Sequence, residues 1–259
     1  MDYLKDRFDI VILAGQSNAS GSGRGPVEQE WKPQENIVSM DAAKEVNWTP
    51  EATSVTFKDE PFSFCLSDDR TLNNTAYGDL SLTFAWGYTQ KYLQEKRKVL
   101  IIRSAVGGTA FSDGNWGVGA KLYEKMIEMT NYALSLNAEN KVVAFLWHQG
   151  ESEYLHQNPL PNFYEQLKLM LLDMRSRYGN IPVVAGDFVQ DWKSKNPACD
   201  EYTQVIKKIV QEIGNGAFVE TQGLLSNAQK LGEQDDIHFC RQALRELGER
   251  YFKAYETLR

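Results

Sequence analysis

The sequence predicts an α/β fold, a three-layer α/β/α doubly wound domain with about five parallel strands and a long insertion after the first of them. Three observations point there. Short apolar runs rich in β-branched and aromatic residues are continuous rather than alternating, the mark of strands covered on both faces. After residue 80 these runs alternate with segments of helical periodicity, as a parallel sheet with crossover helices requires. The 259 residues, 42% hydrophobic and 24% charged, match an ordinary globular chain. A chain of this size buries about 70–75% of the surface its unfolded form exposes and needs no disulfide or metal staple.

Taken in order, the expected strands are Phe8–Ala14, Val99–Arg103, Val142–Trp147, Pro182–Asp187 and Ala217–Glu220. Helices are expected between and after them. Ser81–Lys96 carries Phe84, Tyr88 and Tyr92, and Lys121–Leu136 carries Leu122, Met126, Met129 and Ala133. A third stripe is Phe163, Leu167, Met170, Leu171 and Met174. Thr203–Ile213 carries Ile206, Ile209, Val210 and Ile213, and Arg241–Tyr255 carries Leu244, Leu247, Tyr251 and Tyr255. Such spacings gather the apolar side chains on one helix face. Residues 20–79 break the rhythm, being rich in Gly, Pro, Asn, Ser and acidic residues. A structureless loop of that length is unusual, so the stretch is read as an elaborated insertion pinned by Trp31, Trp48, Phe57, Phe62 and Phe64. With no internal repeat or boundary signal, residues 1–259 are expected to form a single domain.

The net charge of −7 disfavours nucleic acid or an anionic membrane as a partner, since both demand a basic face, but leaves a small uncharged substrate open. Cys65, Cys199 and Cys240 show no C-x-x-C spacing and are expected as reduced thiols. The start of the chain, MDYLKDRFD, lacks the apolar core of a secretion signal, and no apolar run approaches the ~20 residues a spanning helix needs, so a cytoplasmic location is expected.

In open α/β sheets ligands bind beyond the carboxyl ends of the strands. Gly15-Gln16-Ser17-Asn18 follows the first strand, Gly107-Gly108-Thr109 lies just after the second, and His148-Gln149-Gly150-Glu151 follows the third, while Asp235-x-x-His238 precedes the last helix. An imidazole is the usual base for a serine hydroxyl. An aspartate three positions before His238 can fix its tautomer and stabilise the imidazolium. Ser17 is then the nucleophile candidate. A second reading takes His148, Glu151, Asp235 and His238 as nitrogen and oxygen ligands of a divalent ion in a metal-dependent hydrolase, although no H-x-H or H-E-x-x-H motif supports it. A third is a non-catalytic carbohydrate-binding protein on the same fold. Gly21-Ser22-Gly23-Arg24-Gly25 matches neither phosphate-binding motif and reads as a turn.

Those four segments, in that order, resemble the sialate O-acetylesterase-like branch of the SGNH hydrolases, which includes the acetyl xylan esterases of carbohydrate esterase family six. The resemblance spans nearly the whole chain and implies a flavodoxin-like SGNH hydrolase fold. It departs from the broader G-D-S pattern at Gln16 and Asn18, as this branch does. It implies an esterase that removes acetyl groups from a small acetylated carbohydrate, xylan fragments or O-acetyl sialic acid-like sugars, with no metal or organic cofactor. Ser17 matches the nucleophile, Asp235 and His238 the acid and base. The backbone N–H groups of Ser17 and Gly108 and the side-chain amide of Gln149 match the oxyanion hole. Gln16, Asn18, Glu151 and Trp116 are expected at the substrate.

Overall fold

The computed structural model describes residues 3–25, 34–49, 52–68, 70–72 and 75–259. In chain order the elements are β1 (Arg7–Gly15), α1 (Ser17–Ser20), β2 (Gly23–Gly25), β3 (Ile37–Asp41), β4 (Lys44–Trp48), β5 (Thr53–Phe57), β6 (Ser63–Leu66), β7 (Arg70–Leu72), β8 (Thr75–Gly78) and α2 (Ser81–Lys91). They continue with β9 (Arg97–Arg103), α3 (Lys121–Ser135), β10 (Lys141–His148), α4 (Glu151–Leu155), α5 (Leu160–Tyr178), β11 (Val183–Gly186), α6 (Gln190–Lys195), α7 (Asp200–Glu212), β12 (Gly216–Val219), α8 (Asn227–Leu231) and α9 (Arg241–Glu256).

One sheet of seven strands, ordered β12-β11-β10-β1-β9-β3-β6, holds the molecule together. Every neighbouring pair is parallel except the edge pair of β3 and β6. Eight of the nine β1 residues are buried, which is why its apolar run does not alternate. The β11–β12 side is covered by both α7 and α9, and the helices pack in pairs, α2 on α9 and α5 on α7. In the first pair Phe84 meets Phe252 and Tyr255 edge-on, at centroid distances of 5.9 and 5.5 Å.

All five expected strands form, and the sheet gains β3 and β6 from the insertion. The reason lies in pairing. Ile37, Val38 and Met40 are fully buried because β3 adds to the outer edge of β9, with Ile37 opposite Val99 and Met40 opposite Ile102. The rest of the insertion makes a β4–β5 hairpin and a small sheet of β2, β8 and β7. Phe57, Phe62 and Phe64 pack against the core as expected, Phe62 edge-on to Tyr132 at 5.2 Å. Trp48 instead is 63% exposed, and Trp31 lies outside the described residues. Cys199 and Cys240 are buried and Cys65 is exposed, all three as free thiols. Among the described residues no helix is long and apolar enough to cross a membrane.

The sheet order places the carboxyl end of β1 between those of β9 and β10. The chain leaves β1 toward β3, returns to β9, then crosses β1 to reach β10. That reversal opens a crevice where ligands bind in such sheets.

Candidate active site

The crevice is assembled by close backbone approach. Gly15 ends β1 at φ +135°, and a Cβ there would sit 2.1 Å from the carbonyl oxygen of His148. Only glycine lets β1 and β10 converge so tightly. The Gln16 N–H then bonds that same oxygen at 3.0 Å, and Val106 N–H bonds the Gly15 carbonyl at 3.1 Å. Ser17 therefore emerges between the ends of β9 and β10. A Cβ on Gly107 would lie 3.5 Å from the Ser17 Cβ.

Asn18, the next residue, brings the far end of the chain to the same place. Its Nδ2 donates to the Ile237 carbonyl at 3.1 Å and to Glu151 Oε1 at 2.8 Å, and its Oδ1 accepts from Phe239 N–H at 3.1 Å. One amide thus grips the residues on both sides of His238. The His238 segment is also held from behind, since Asn227 N–H bonds the His238 carbonyl at 2.9 Å and Ala228 N–H bonds the Asp235 carbonyl at 2.8 Å. His238 Nδ1 faces Asp235 Oδ1 at 2.7 Å, the spacing anticipated for an i, i+3 pair. With the proton on Nδ1, Nε2 carries the lone pair.

Asp235 is held by more than its histidine. Arg24 Nη2 and Asn227 Nδ2 donate to its Oδ2 at 2.7 and 2.9 Å, and Arg24 also pairs with Glu233 at 2.7 Å. Partial burial pushes the Asp235 carboxyl up, but the hydrogen bonds from His238, Asn227 and Arg24 outweigh it and hold the group well below the usual carboxylate range. The glycine-rich segment at Arg24, expected as a turn, instead forms β2 paired to β8, and its arginine supports a carboxylate of the protein. Neither Arg24 nor Asn227 stands out in the sequence, because Arg24 meets Asp235 across a separation of 211 residues and Asn227 across 8 with no motif to mark it.

Several expected roles change. Gln149 is fully buried, and its Nε2 donates to Glu153 Oε1 at 2.8 Å and toward the Thr109 carbonyl at 3.4 Å. Both amide protons are thereby used, and exchanging oxygen for nitrogen would set an acceptor against two acceptors. Gln149 is not available as an oxyanion donor in this arrangement. Gln16 Oε1 accepts from Gly150 and Ser152 N–H at 3.3 and 3.1 Å, so it anchors the start of α4. Asn18 and Glu151 are fully buried and serve the His238 clamp rather than substrate contact. Trp116 is a core residue, edge-on to Trp147 at 5.0 Å with its Nε1–H on Thr109 Oγ1 at 2.9 Å. Of the two glycines, Gly107 abuts Ser17, whereas the Cβ position of Gly108 points at Thr53 and Trp48.

The metal-site reading fails on geometry. Among the described residues no group of three or more His, Cys, Asp or Glu side chains is arranged to hold an ion. His148 is fully buried against Tyr251 and Phe239. Tyr251 O–H donates to the Trp147 carbonyl at 3.0 Å, so its oxygen accepts from His148 Nδ1–H at 2.8 Å. Among the described residues Nε2 finds no hydrogen-bond partner and is buried. Protonating it would put a charge in an apolar site, and burial accordingly lowers the His148 pKa from 6.5 to about 3. The unfolded chain then binds the extra proton first, so stability falls as pH drops from 6.5 toward 3. Chemical denaturation between pH 7 and 5 is expected to show this slope in the wild type and a shallower one in His148→Asn. Equal slopes would mean that His148 is not the neutral buried group drawn here.

A serine at the end of β1, in a segment that Asn18 ties to both neighbours of a histidine paired with an aspartate, is an arrangement suited to acyl transfer through a hydroxyl. Comparisons with known proteins agree. The profile of the family described as "Carbohydrate esterase, sialic acid-specific acetylesterase" matches residues 7–257. The chain belongs to that family and is a carbohydrate O-acetylesterase. It is 26% identical over 233 residues to the probable 9-O-acetyl-N-acetylneuraminic acid deacetylase of Escherichia coli K12, covering 74% of this chain and 70% of that one. Its fold is similar to the crystal structure of NanS, with a TM-score of 0.73, 22% identity and 97% of each chain covered. It is also similar to a carbohydrate acetylesterase from Xanthomonas citri, with a TM-score of 0.64, 16% identity, and 96% of this chain and 56% of that one covered.

Proposed function

We propose that the protein removes O-acetyl groups from a sialic acid-type sugar by acyl transfer through Ser17. The observation that carries this reading is the Asn18 clamp, which ties the residue after the serine to both neighbours of a histidine already paired with Asp235. His238 Nε2 takes the Ser17 proton as the hydroxyl attacks the ester carbonyl. Negative charge grows on the carbonyl oxygen, and the peptide N–H groups of Ser17 and of the Gly107–Gly108 turn meet it. His238 then protonates the departing sugar hydroxyl. Water, activated by the same imidazole, releases acetate and restores the serine. Asp235, held ionised, stabilises the imidazolium formed in each half-reaction.

The named activity of the Escherichia coli relative supports a sialic acid as the sugar. The exposed free thiol of Cys65 supports a reducing, cytoplasmic setting. Acetate release measured side by side from 9-O-acetylated sialic acid and from acetylated xylo-oligosaccharides tests the substrate. The sialic acid is expected to be the better one, and a higher kcat/KM on the xylan fragments would overturn the choice. Turnover is expected to survive EDTA unchanged. Loss on chelation that zinc or manganese restores would instead require a metal in the reaction.

A further inference from the structure

The β4–β5 hairpin of the insertion sits on the Gly107–Gly108 turn and reaches it through side-chain donors. Trp48 Nε1–H bonds the Gly107 carbonyl at 3.0 Å, and Thr53 Oγ1–H bonds the Gly108 carbonyl at 2.9 Å. Within the turn, Thr109 Oγ1–H bonds the Val106 carbonyl at 2.7 Å. Three successive carbonyls are thus each claimed by a side chain. In a planar trans peptide the C=O and the following N–H point in opposite directions, so holding one aims the other. Thr109 aims the Gly107 N–H, Trp48 aims the Gly108 N–H, and Thr53 aims the Thr109 N–H. Glycines have the widest choice of backbone angles, and Gly108 stands at φ +71°. Without outside restraint such a turn would sample several orientations of its N–H groups.

We propose that Trp48 and Thr53 are positioning residues of the oxyanion hole, Trp48 holding the peptide plane that carries the Gly108 N–H and Thr53 fixing the next plane, so that the far side of Gly108 cannot swing and carry that N–H out of register with Ser17. The proposal rests on the reading of Ser17 as nucleophile and of this turn as oxyanion donor. The hairpin is itself braced for the task. Asn115 Nδ2 bonds the Thr53 carbonyl at 2.7 Å, and Lys121 Nζ bonds the Val55 carbonyl at 2.7 Å. The 63% exposed Trp48 indole also borders a cavity of about 240 Å³ with Ala19, Val106 and Gly107. A ring there could simply contact the sugar, and that competing role is separable by experiment.

The test uses p-nitrophenyl acetate, which delivers an acetyl group without a sugar, alongside an O-acetylated sugar. The variants are Trp48→Phe, which keeps an aromatic ring but loses the N–H, Thr53→Val, Thr53→Ser, and the double variant Trp48→Phe/Thr53→Val. On p-nitrophenyl acetate, kcat is expected to fall about tenfold in Trp48→Phe and in Thr53→Val and about 100-fold in the double variant, with KM within about twofold. Thr53→Ser, which keeps the hydroxyl, is expected to stay within about twofold of wild type. Thermal melting identifies folded variants, and should the double variant not fold, the two single variants decide. Folded single variants with wild-type kcat on p-nitrophenyl acetate overturn the proposal. So does a raised KM confined to the acetylated sugar, which would make Trp48 a sugar contact, and so does failure of Thr53→Ser to rescue. Ser17→Ala, run in parallel, separates the two levels. If it retains full turnover the underlying reading falls, whereas if it is inactive and the hairpin variants are not impaired, only the positioning role falls.

Discussion

Ser17→Ala is expected to lower kcat on an O-acetylated sugar by about 10⁴–10⁶ while leaving the fold intact. The expectation follows from where the hydroxyl sits. Ser17 opens α1 beside the Gly107 turn, and among the described residues its Oγ makes no hydrogen bond, so its removal strands no partner. Stability should therefore change little. What is lost is the hydroxyl that the proposed mechanism makes the nucleophile, with His238 as its base. Circular dichroism and thermal melting check the fold, and acetate release checks the rate. A purified Ser17→Ala protein that keeps more than about a hundredth of the wild-type rate is incompatible with an acyl-enzyme on this residue.

Asp235→Asn is expected to cost about 10⁴ in kcat, and the structure explains why so conservative a change should be so damaging. Arg24 and Asn227 both donate to Oδ2, while His238 Nδ1 faces Oδ1. An asparagine has a single carbonyl oxygen. The two donors draw it to their side, which turns the amide NH₂ toward His238 Nδ1. The imidazole must then place its proton on Nε2, the tautomer that cannot accept from Ser17. Loss of the negative charge also removes the stabilisation of the imidazolium. ¹⁵N NMR of the histidine ring reads the tautomer directly. A rate within about tenfold of wild type, with Nδ1 still protonated, would show that Asp235 is not the orienting group.

Much of the scaffold was legible from residues alone. The runs at Phe8–Ala14 and Val142–Trp147 lack alternation because the strands are covered on both faces, and that burial is written residue by residue into their apolarity. The strand ends could be located in turn, and so could the four polar segments that converge there. β3 was not legible. Its Ile37-Val38-Ser39-Met40 run is short and set among polar and acidic residues, and it becomes a strand only through the edge of β9. The pair Asp235–His238 was legible because its two members are three residues apart and local geometry nearly suffices.

The direction of each polar side chain was a different matter. Gln16, Asn18, Gln149 and Glu151 all stand at strand ends, where a substrate contact is a natural expectation, yet they point into the protein and bond to one another's segments. Trp116 joins the core for a similar reason, since its indole N–H finds Thr109. Trp48 reaches the Gly107 carbonyl across 59 residues and Arg24 reaches Asp235 across 211.

The linear order of residues was thus enough to determine the layered sheet, the position of Ser17 at the end of β1 and the histidine–aspartate pair near the carboxyl terminus. Only the tertiary structure decided which amides are spent as braces, which loop holds Asp235 and which hairpin seats the glycine turn. The division has a physical cause. Apolar burial is non-directional and summed over many neighbouring residues, so it leaves a periodic trace along the chain. A hydrogen bond depends on the distance and angle of two particular groups, and those are set only when remote segments meet.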